Sequence, residues 1–374
     1  MKKILLLLFI ASQLSSFAQN RSYDKKTEER IDSILISFYP DGFNGNVLVT
    51  ENDTVTFKQS YGYSDLEKET PLNDSSVFEI NSCSKHFTSL AILKLYEMKK
   101  ISLEDTLRKF FPELPYSGVT IKHMLTHTSG IPPYEWILLD KDTAEVCENK
   151  NIIDDFAAYK PKSKFKPGKK FEYCNMNYLL LASIIEKVSG TTYTQFLELQ
   201  FFKPLKMNNT YVGRIFSRKQ AIPNYAFRYT YYQNHYVRPE TQKKFRHQVK
   251  YDGVLGQSHI HTTAADLVKW DLALRNYSVL SKATMDLVYD PSNCPTAIET
   301  YKTVYGYGCY LNNDKNNGKV VWQAGGDDGG HSYIYRFPDA NKMVVILSNK
   351  THTDDRDTEL APVVFKGDFF SGKK

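Results

Sequence analysis

A serine placed three residues ahead of a lysine can become a nucleophile with its own base. One helical turn sets the two side chains on the same face. A lysine buried there loses several pKa units through desolvation, and its neutral amine can take the serine proton. The spacing occurs four times in this chain, at Ser22–Lys25, Ser82–Lys85, Ser163–Lys166 and Ser371–Lys374. Three of these lie in lysine-rich polar stretches. Only after Ser82 do apolar residues follow on every helical face, at Phe87, Leu90, Ala91, Ile92, Leu93, Leu95 and Met98, the pattern of a buried helix. Ser82 then falls at the helix N-terminus, where free N–H groups and the dipole favour negative charge. Taken alone, a serine there reads first as an N-cap.

A second segment, Tyr173-Cys174-Asn175, pairs a phenol that can relay protons with an amide that can hold a carbonyl. Tyr-x-Asn also occurs at Tyr232–Asn234 and Tyr310–Asn312, so the context carries the signal. Pro167-Gly168 precedes this copy, and an apolar helical pattern over Tyr178–Val188 follows, stopping at Gly190. The bland alternative is a buried tyrosine with Asn175 capping that helix.

These side chains need elements to position them. Asn46–Thr50 and Thr54–Ser60 alternate as strands around an Asn52-Asp53 turn, and Val320–Gln323, Ser332–Phe337 and Met343–Ser348 also read as strands. Gly325–Gly330 and Pro338–Asn341 read as the turns between the latter. A helical pattern over Lys25–Phe38 precedes the first strands, and mostly helical patterns fill the middle. The predicted fold is therefore α/β (α+β): one antiparallel sheet drawn from both chain ends, about 22–81 and 251–374, flanked by helices, with a helical insertion over about 82–250.

The chain has 374 residues, a net charge of +6, 41% hydrophobic and 24% charged residues. That composition excludes a disordered or collagen-like chain, and the charge is too weak to argue for a nucleic-acid partner. Lys2 and Lys3 precede the apolar Ile4–Ala11, and Ser16-Phe17-Ala18 supplies small residues near a cut site. Residues 1–18 thus read as a secretory signal, leaving 19–374 as a single exported domain, periplasmic or extracellular, with no stable membrane anchor.

Together these motifs resemble the serine beta-lactamase and penicillin-binding protein superfamily, in its class C beta-lactamase, D-Ala-D-Ala carboxypeptidase and esterase branch. The likeness runs in order through Gly45–Val49, Tyr61–Asp65, Phe78–Lys85, Leu103–Asp105, Phe111–Leu114, Leu125–Pro132, Pro167-Gly168, Phe171–Asn175, Pro204–Met207, His261–Leu267 and Tyr305–Gly308. It implies an acyl-enzyme mechanism on an α/β sandwich with an all-helical subdomain. Ser82 would be the nucleophile, Lys85 its base and Tyr173 the proton shuttle. Asn175 would bind the carbonyl side of the substrate, and the N–H groups of Ser82 and Gly326 would form the oxyanion hole.

The third family motif, a lysine or histidine followed by threonine or serine and glycine, departs here to Gln323-Ala324-Gly325. The glycine is kept and the cation is lost, although Gln323 and Gly325 still edge the substrate. A hydrogen bond to a charged group contributes about 1.5–3 kcal/mol, so a substrate carboxylate should be held poorly. The expected substrate is a small ester, amide or peptide, cell-wall fragments included, with an esterase-like preference. The rivals are a D-Ala-D-Ala carboxypeptidase or class C-like beta-lactamase, and a non-catalytic binding relative. Joint retention of Ser82, Lys85, Tyr173 and Asn175 weighs against the last. His127 and Asp266 read as structural, His331 as structural or solvated, and no cofactor or metal is expected. Cys83 and Cys174 fall inside the first two motifs and could pair in an exported protein. The lysines at 160, 162, 164, 166, 169 and 170 read as a solvated loop or, more sharply, as a guide for anionic polymers. Tyr225–Tyr232 reads as a strand or an aromatic wall.

Overall fold

The computed structural model describes residues 42–135, 146–215, 221–293, 297–298 and 303–351, with positions 29, 31, 33 and 35. The signal expected over 1–18 lies outside the described residues.

The first strands are β1 (Gly45–Glu51), β2 (Thr54–Tyr61), β3 (Tyr63–Asp65), β4 (Thr70–Pro71) and β5 (Phe78–Glu79). Four short strands follow the helical middle or lie within it, β6 (Tyr211–Val212), β7 (Thr230–Tyr232), β8 (His235–Val237) and β9 (Ile260–Thr262). The last group is β10 (Ala297–Ile298), β11 (Thr303–Tyr305), β12 (Tyr310–Asp314), β13 (Gly318–Asp327), β14 (Gly330–Phe337) and β15 (Lys342–Ser348). An eight-stranded sheet runs β10-β11-β12-β13-β14-β15-β1-β2, antiparallel at each pairing. The β1–β2 hairpin turns at Asn52 and Asp53, whose φ values of 48° and 63° are tolerated by these two residue types.

Alternation along β1 and β15 divides the core. Val47, Val49, Val344 and Ile346 face a layer with Ile31, Leu35 and Phe43. Leu48, Val345 and Leu347 face the opposite way, into the larger helical core. Both faces are covered, so these central strands are β-branched and apolar nearly throughout.

The longer helices are α1 (Ser84–Glu97), α2 (Asn149–Tyr159), α3 (Asn175–Ser189), α4 (Ala264–Arg275) and α5 (Lys282–Tyr289). Every residue of α1 from Ser84 to Leu93 is buried. Helix α3 ends where Gly190 turns left-handed at φ 72°, the C-cap that glycine permits. Chain segments approach α1 closely enough to need glycine. A Cβ at Gly308, whose φ is +81°, would lie 2.3 Å from Ser89 Oγ and 2.9 Å from the Lys85 carbonyl.

The glycine-rich run at 325–330 behaves differently from its sequence pattern. Strand β13 continues through Gly325 and Gly326 to Asp327, and only Asp328-Gly329 makes the turn. The glycines serve proximity here, since a Cβ at Gly325 would lie 2.4 Å from the Ile80 carbonyl oxygen and 2.9 Å from Ser82 N. Likewise, only Thr230–Tyr232 of the aromatic run forms a strand, pairing with β8.

Phe87 stacks on Trp270 with centroids 4.4 Å apart and meets Phe202 edge-on at 5.9 Å. Phe87→Ala removes the centre of this cluster, and the expected loss is about 3–5 kcal/mol. A urea unfolding curve should show the lowered midpoint with little change of slope.

Candidate active site

The site begins where β5 hands the chain to α1. Asn81 takes φ 45°, and Asn81–Cys83 form one 3₁₀ turn before α1. Ser82 therefore lies just outside the helix rather than on it. The N-cap position of α1 belongs to Cys83, with no side-chain cap bond, so the capping reading of Ser82 does not describe this turn.

Lys85 is fully buried. Its Nζ stands 2.9 Å from Ser82 Oγ and donates to the Gln257 carbonyl at 3.0 Å. Burial brings the Lys85 pKa down to about 7, against the upward pull of the Glu135 carboxylate. The amine is then largely neutral above pH 7 and has a lone pair for the serine proton.

Tyr173 completes the contact around this pair. Lys85 Nζ lies 4.8 Å from its ring centroid. Burial pushes the Tyr173 hydroxyl well above its ordinary range, although a hydrogen bond with Ser82 works the other way. The phenol thus stays protonated and can pass a proton on, while a phenolate base is disfavoured. Gln323 Nε2 donates to Tyr173 Oη at 3.4 Å and to the Ala324 carbonyl at 3.0 Å.

The Tyr173–Asn175 turn is held by His127. Its buried ring lies 4.2 Å from the Tyr173 ring. Nδ1 accepts from Cys174 N at 3.1 Å, and the Asn177 amide stands 3.2 Å away. Burial drives the His127 pKa well below its ordinary value, with the Lys85 charge acting in the same direction. A neutral imidazole that accepts these bonds is a scaffold for the turn. Asp266 likewise accepts from Asn209 N at 2.9 Å and Thr210 Oγ1 at 3.0 Å, tying α4 to its neighbours.

Asn175 opens α3, but Cys174 occupies the N-cap and the Asn175 side chain makes no cap bond. Its Nδ2 donates instead to Glu135 Oε1 at 2.6 Å. Glu135 escaped sequence reasoning: a lone carboxylate after Pro132-Pro133-Tyr134 carries no motif. Strand β13 supplies the other wall, with Gln323, Gly325 and Gly326 arriving beside the Ser82 turn.

Several expected features sit elsewhere or differ. Cys83 and Cys174 are buried free thiols, and burial pushes each up to about 12. The pairing conceived for them is thus replaced by packing: Cys83 Sγ lies 3.3 Å from the Gln323 carbonyl and accepts from Ser332 Oγ at 3.3 Å. Of the basic run, Lys164 pairs with Glu172 and Lys170 lies over the Phe165 ring. His331 pairs with Gly326 across the β13–β14 ladder. His247, Asp327 and Asp328 bring possible ligand atoms within 4.8 Å of one another. His247 Nε2 already meets Asp328 at 3.1 Å, however, which accounts for the cluster without an ion.

Beneath the turn lies a buried ion pair, Arg228 Nη1 to Glu79 Oε2 at 3.1 Å. Burial would raise the Glu79 carboxyl, but the Arg228 charge, the neighbouring His259 and His261 and a backbone hydrogen bond from His259 together hold the group at about 2.

A Lys85 base has a definite pH signature. The active form is the neutral amine, so kcat/KM should rise with pH through an apparent pKa near 7 and fall below it. A pH–rate profile on a non-ionising ester checks this, and a profile flat from pH 5 to 9 would contradict it.

Residues 42–368 match the family model described as Beta-lactamase. The chain is 34% identical over 331 residues to Penicillin-binding protein 4* of Bacillus subtilis, covering 87% of this chain and 71% of that one. It is 29% identical to Protein flp of Staphylococcus aureus over 86% of this chain but only 63% of flp, so it spans less than two thirds of that relative. Among solved structures, the octameric penicillin-binding protein homologue from Pyrococcus abyssi superposes with a TM-score of 0.77 at 25% identity. That match covers 93% of this chain and 77% of the other.

Proposed function

This chain belongs to the beta-lactamase family of serine hydrolases, and from that premise we propose that it cleaves an ester or amide bond through an acyl-enzyme on Ser82. The observation that carries the reading is the Lys85 amine, fully buried and 2.9 Å from Ser82 Oγ. Ser82 Oγ attacks the substrate carbonyl carbon while its proton passes to Lys85 Nζ. The carbonyl oxygen takes the negative charge, and the N–H groups of Ser82 and Gly326 receive it. Collapse breaks the C–O or C–N bond. The leaving group takes a proton from the Tyr173 hydroxyl, which Lys85 replenishes. Water then attacks the acyl-serine, gives its proton back through the same pair, and releases the acid and free Ser82.

The rim of β13 favours substrates without a carboxylate at that edge. Gln323 is neutral, and its amide is directed to Tyr173 and its own strand. Ala324 has no hydroxyl to offer. An ester or amide with an uncharged group there fits this surface better than penicillin or a stem peptide ending in a carboxylate. The second reading, a penicillin-recognising peptidase, draws on the likeness to Penicillin-binding protein 4*. The sequence over 1–18 supports export of the enzyme, with action on periplasmic or extracellular substrates. Among the described residues no helix is long and apolar enough to cross a membrane.

A fluorophosphonate should label the wild-type protein and fail to label Ser82→Ala, read by intact mass. Absence of labelling in the wild type would end the acyl-enzyme proposal. Fluorescent penicillin should label poorly. Restoring the cation and hydroxyl with Gln323→Lys and Ala324→Thr together should raise acylation by penicillin by roughly tenfold or more, the equivalent of one charge-assisted hydrogen bond. Rapid labelling of the wild type by penicillin would instead favour the peptidase reading.

A further inference from the structure

We infer that Arg228 is a positioning residue for the reaction. Its guanidinium ties the β13–β14 turn to strand β5, and so sets the spacing of the Gly326 and Ser82 N–H groups that receive the carbonyl oxygen. The inference rests on the Ser82 reading above and adds to it the group that keeps the oxyanion hole in shape.

The two donors stand on separate walls. Ser82 follows Glu79, the last residue of β5, and Gly326 precedes Asp327, the last residue of β13. That strand end and its turn carry glycine at 325, 326, 329 and 330, so their backbone has wide freedom unless something outside holds it. The brace comes from the segment ahead of β7. Ala226 N donates to the Val77 carbonyl at 2.9 Å, just before β5, and Tyr229 N donates to the Gly329 carbonyl at 3.2 Å, in the turn. Arg228 lies between these anchors, and its side chain closes the bridge. Nη1 stands 3.1 Å from Glu79 Oε2 and 3.8 Å from Asp327 Oδ2. Nη2 donates to Gln248 Oε1 at 2.9 Å. Gln248 Nε2 is 3.3 Å from His247 Nε2, which meets Asp328 at 3.1 Å. Asp327 directly, and Asp328 through Gln248 and His247, are thus tied to one cation. The turn also rests on the arginine itself, since a Cβ at Gly329 would lie 3.0 Å from Arg228 Cβ.

Stability alone does not account for this pair. The Arg228 and Glu79 side chains are only 5% and 2% exposed, and an ion pair so buried is often no better than well-packed apolar residues, because both charges lose their water. What the charges add is a fixed geometry, and a planar guanidinium holds several partners in set directions at once. Oxyanion donors need that precision. They act at about 2.7–3.1 Å from the developing charge, and a displacement of about 1 Å can cost about a hundredfold in rate. Arg228 acts through the backbone it holds, without touching the reacting atoms.

The test sets the full chain beside three variants and follows p-nitrophenyl acetate hydrolysis. Arg228→Met with Glu79→Met replaces the pair by apolar side chains, Arg228→Lys keeps the charge without the fork, and Asp327→Asn cuts only the leg to the turn. The double variant should lose roughly tenfold to a hundredfold in kcat with KM within about twofold of the wild type. Arg228→Lys should recover part of that loss, and Asp327→Asn should show a smaller fall of the same kind. The apparent pKa near 7 should persist in each, because Lys85 keeps Ser82 and Gln257 as partners. A folded double variant with wild-type kcat, a loss expressed in KM alone, or a displaced pH profile would overturn the inference. Thermal unfolding reports whether the double variant folds. If it does not, Asp327→Asn decides, with an unchanged kcat counting against the inference and a lowered one for it. Fluorophosphonate labelling separates the two claims. With the wild type labelled and the variants labelled as fast, the role of Arg228 alone fails. Without labelling of the wild type, the hydrolase reading fails and the inference falls with it.

Discussion

Removing Lys85 from water is the constraint around which this molecule is arranged. A buried ammonium is expensive, and the group answers by releasing its proton. That response is useful only if a serine hydroxyl waits beside the lone pair. The fold meets both conditions with one helix. Helix α1 is buried on every side from Ser84 to Leu93, enclosed by α3, α4 and the sheet, so Lys85 has no exit to solvent. The Ser82 turn sits at its outer end, kept in register by β5 and by the carbonyl of Gln257. The Glu135 carboxylate tempers the effect, holding the lysine pKa from falling further.

A second constraint follows from the first. The wall opposite Ser82 must come very close, and it comes from the far end of the chain. Strand β13 reaches the Ser82 turn because Gly325 has no side chain to strike Ile80 or Ser82. Pairing of β1 with β15 brings the two ends of the chain into one sheet, and β14 links β15 to β13. Site geometry and sheet stability are therefore coupled. The buried Glu79–Arg228 pair lies in the same seam, where removing one partner would leave an uncompensated charge.

The charge pattern around the reacting atoms is the reverse of what carboxylate recognition needs. One edge is a neutral glutamine and an alanine, and the facing side holds a carboxylate and an inward amide oxygen.

The sequence by itself was enough for the family, the fold class and the main strands and helices. Those features are written in short-range patterns: two-residue alternation in β1 and β15, all-round apolarity in α1, a glycine closing α3. Ser82, Lys85, Tyr173 and Asn175 were legible because their spacing and flanking helices are local. What tertiary structure alone decided depends on approach between distant segments. The glycines at 325 and 326 read as a turn, and are strand because they pair with Ser332 and His331 of β14, with Gly325 set against the Ser82 turn. Cys83 and Cys174 looked available to each other, and packing keeps both as buried thiols. Asn175 was readable as a side chain facing substrate, but the atom it presents was not. That choice belongs to Glu135, forty residues away in sequence, because an amide turns whichever end a neighbouring charge attracts.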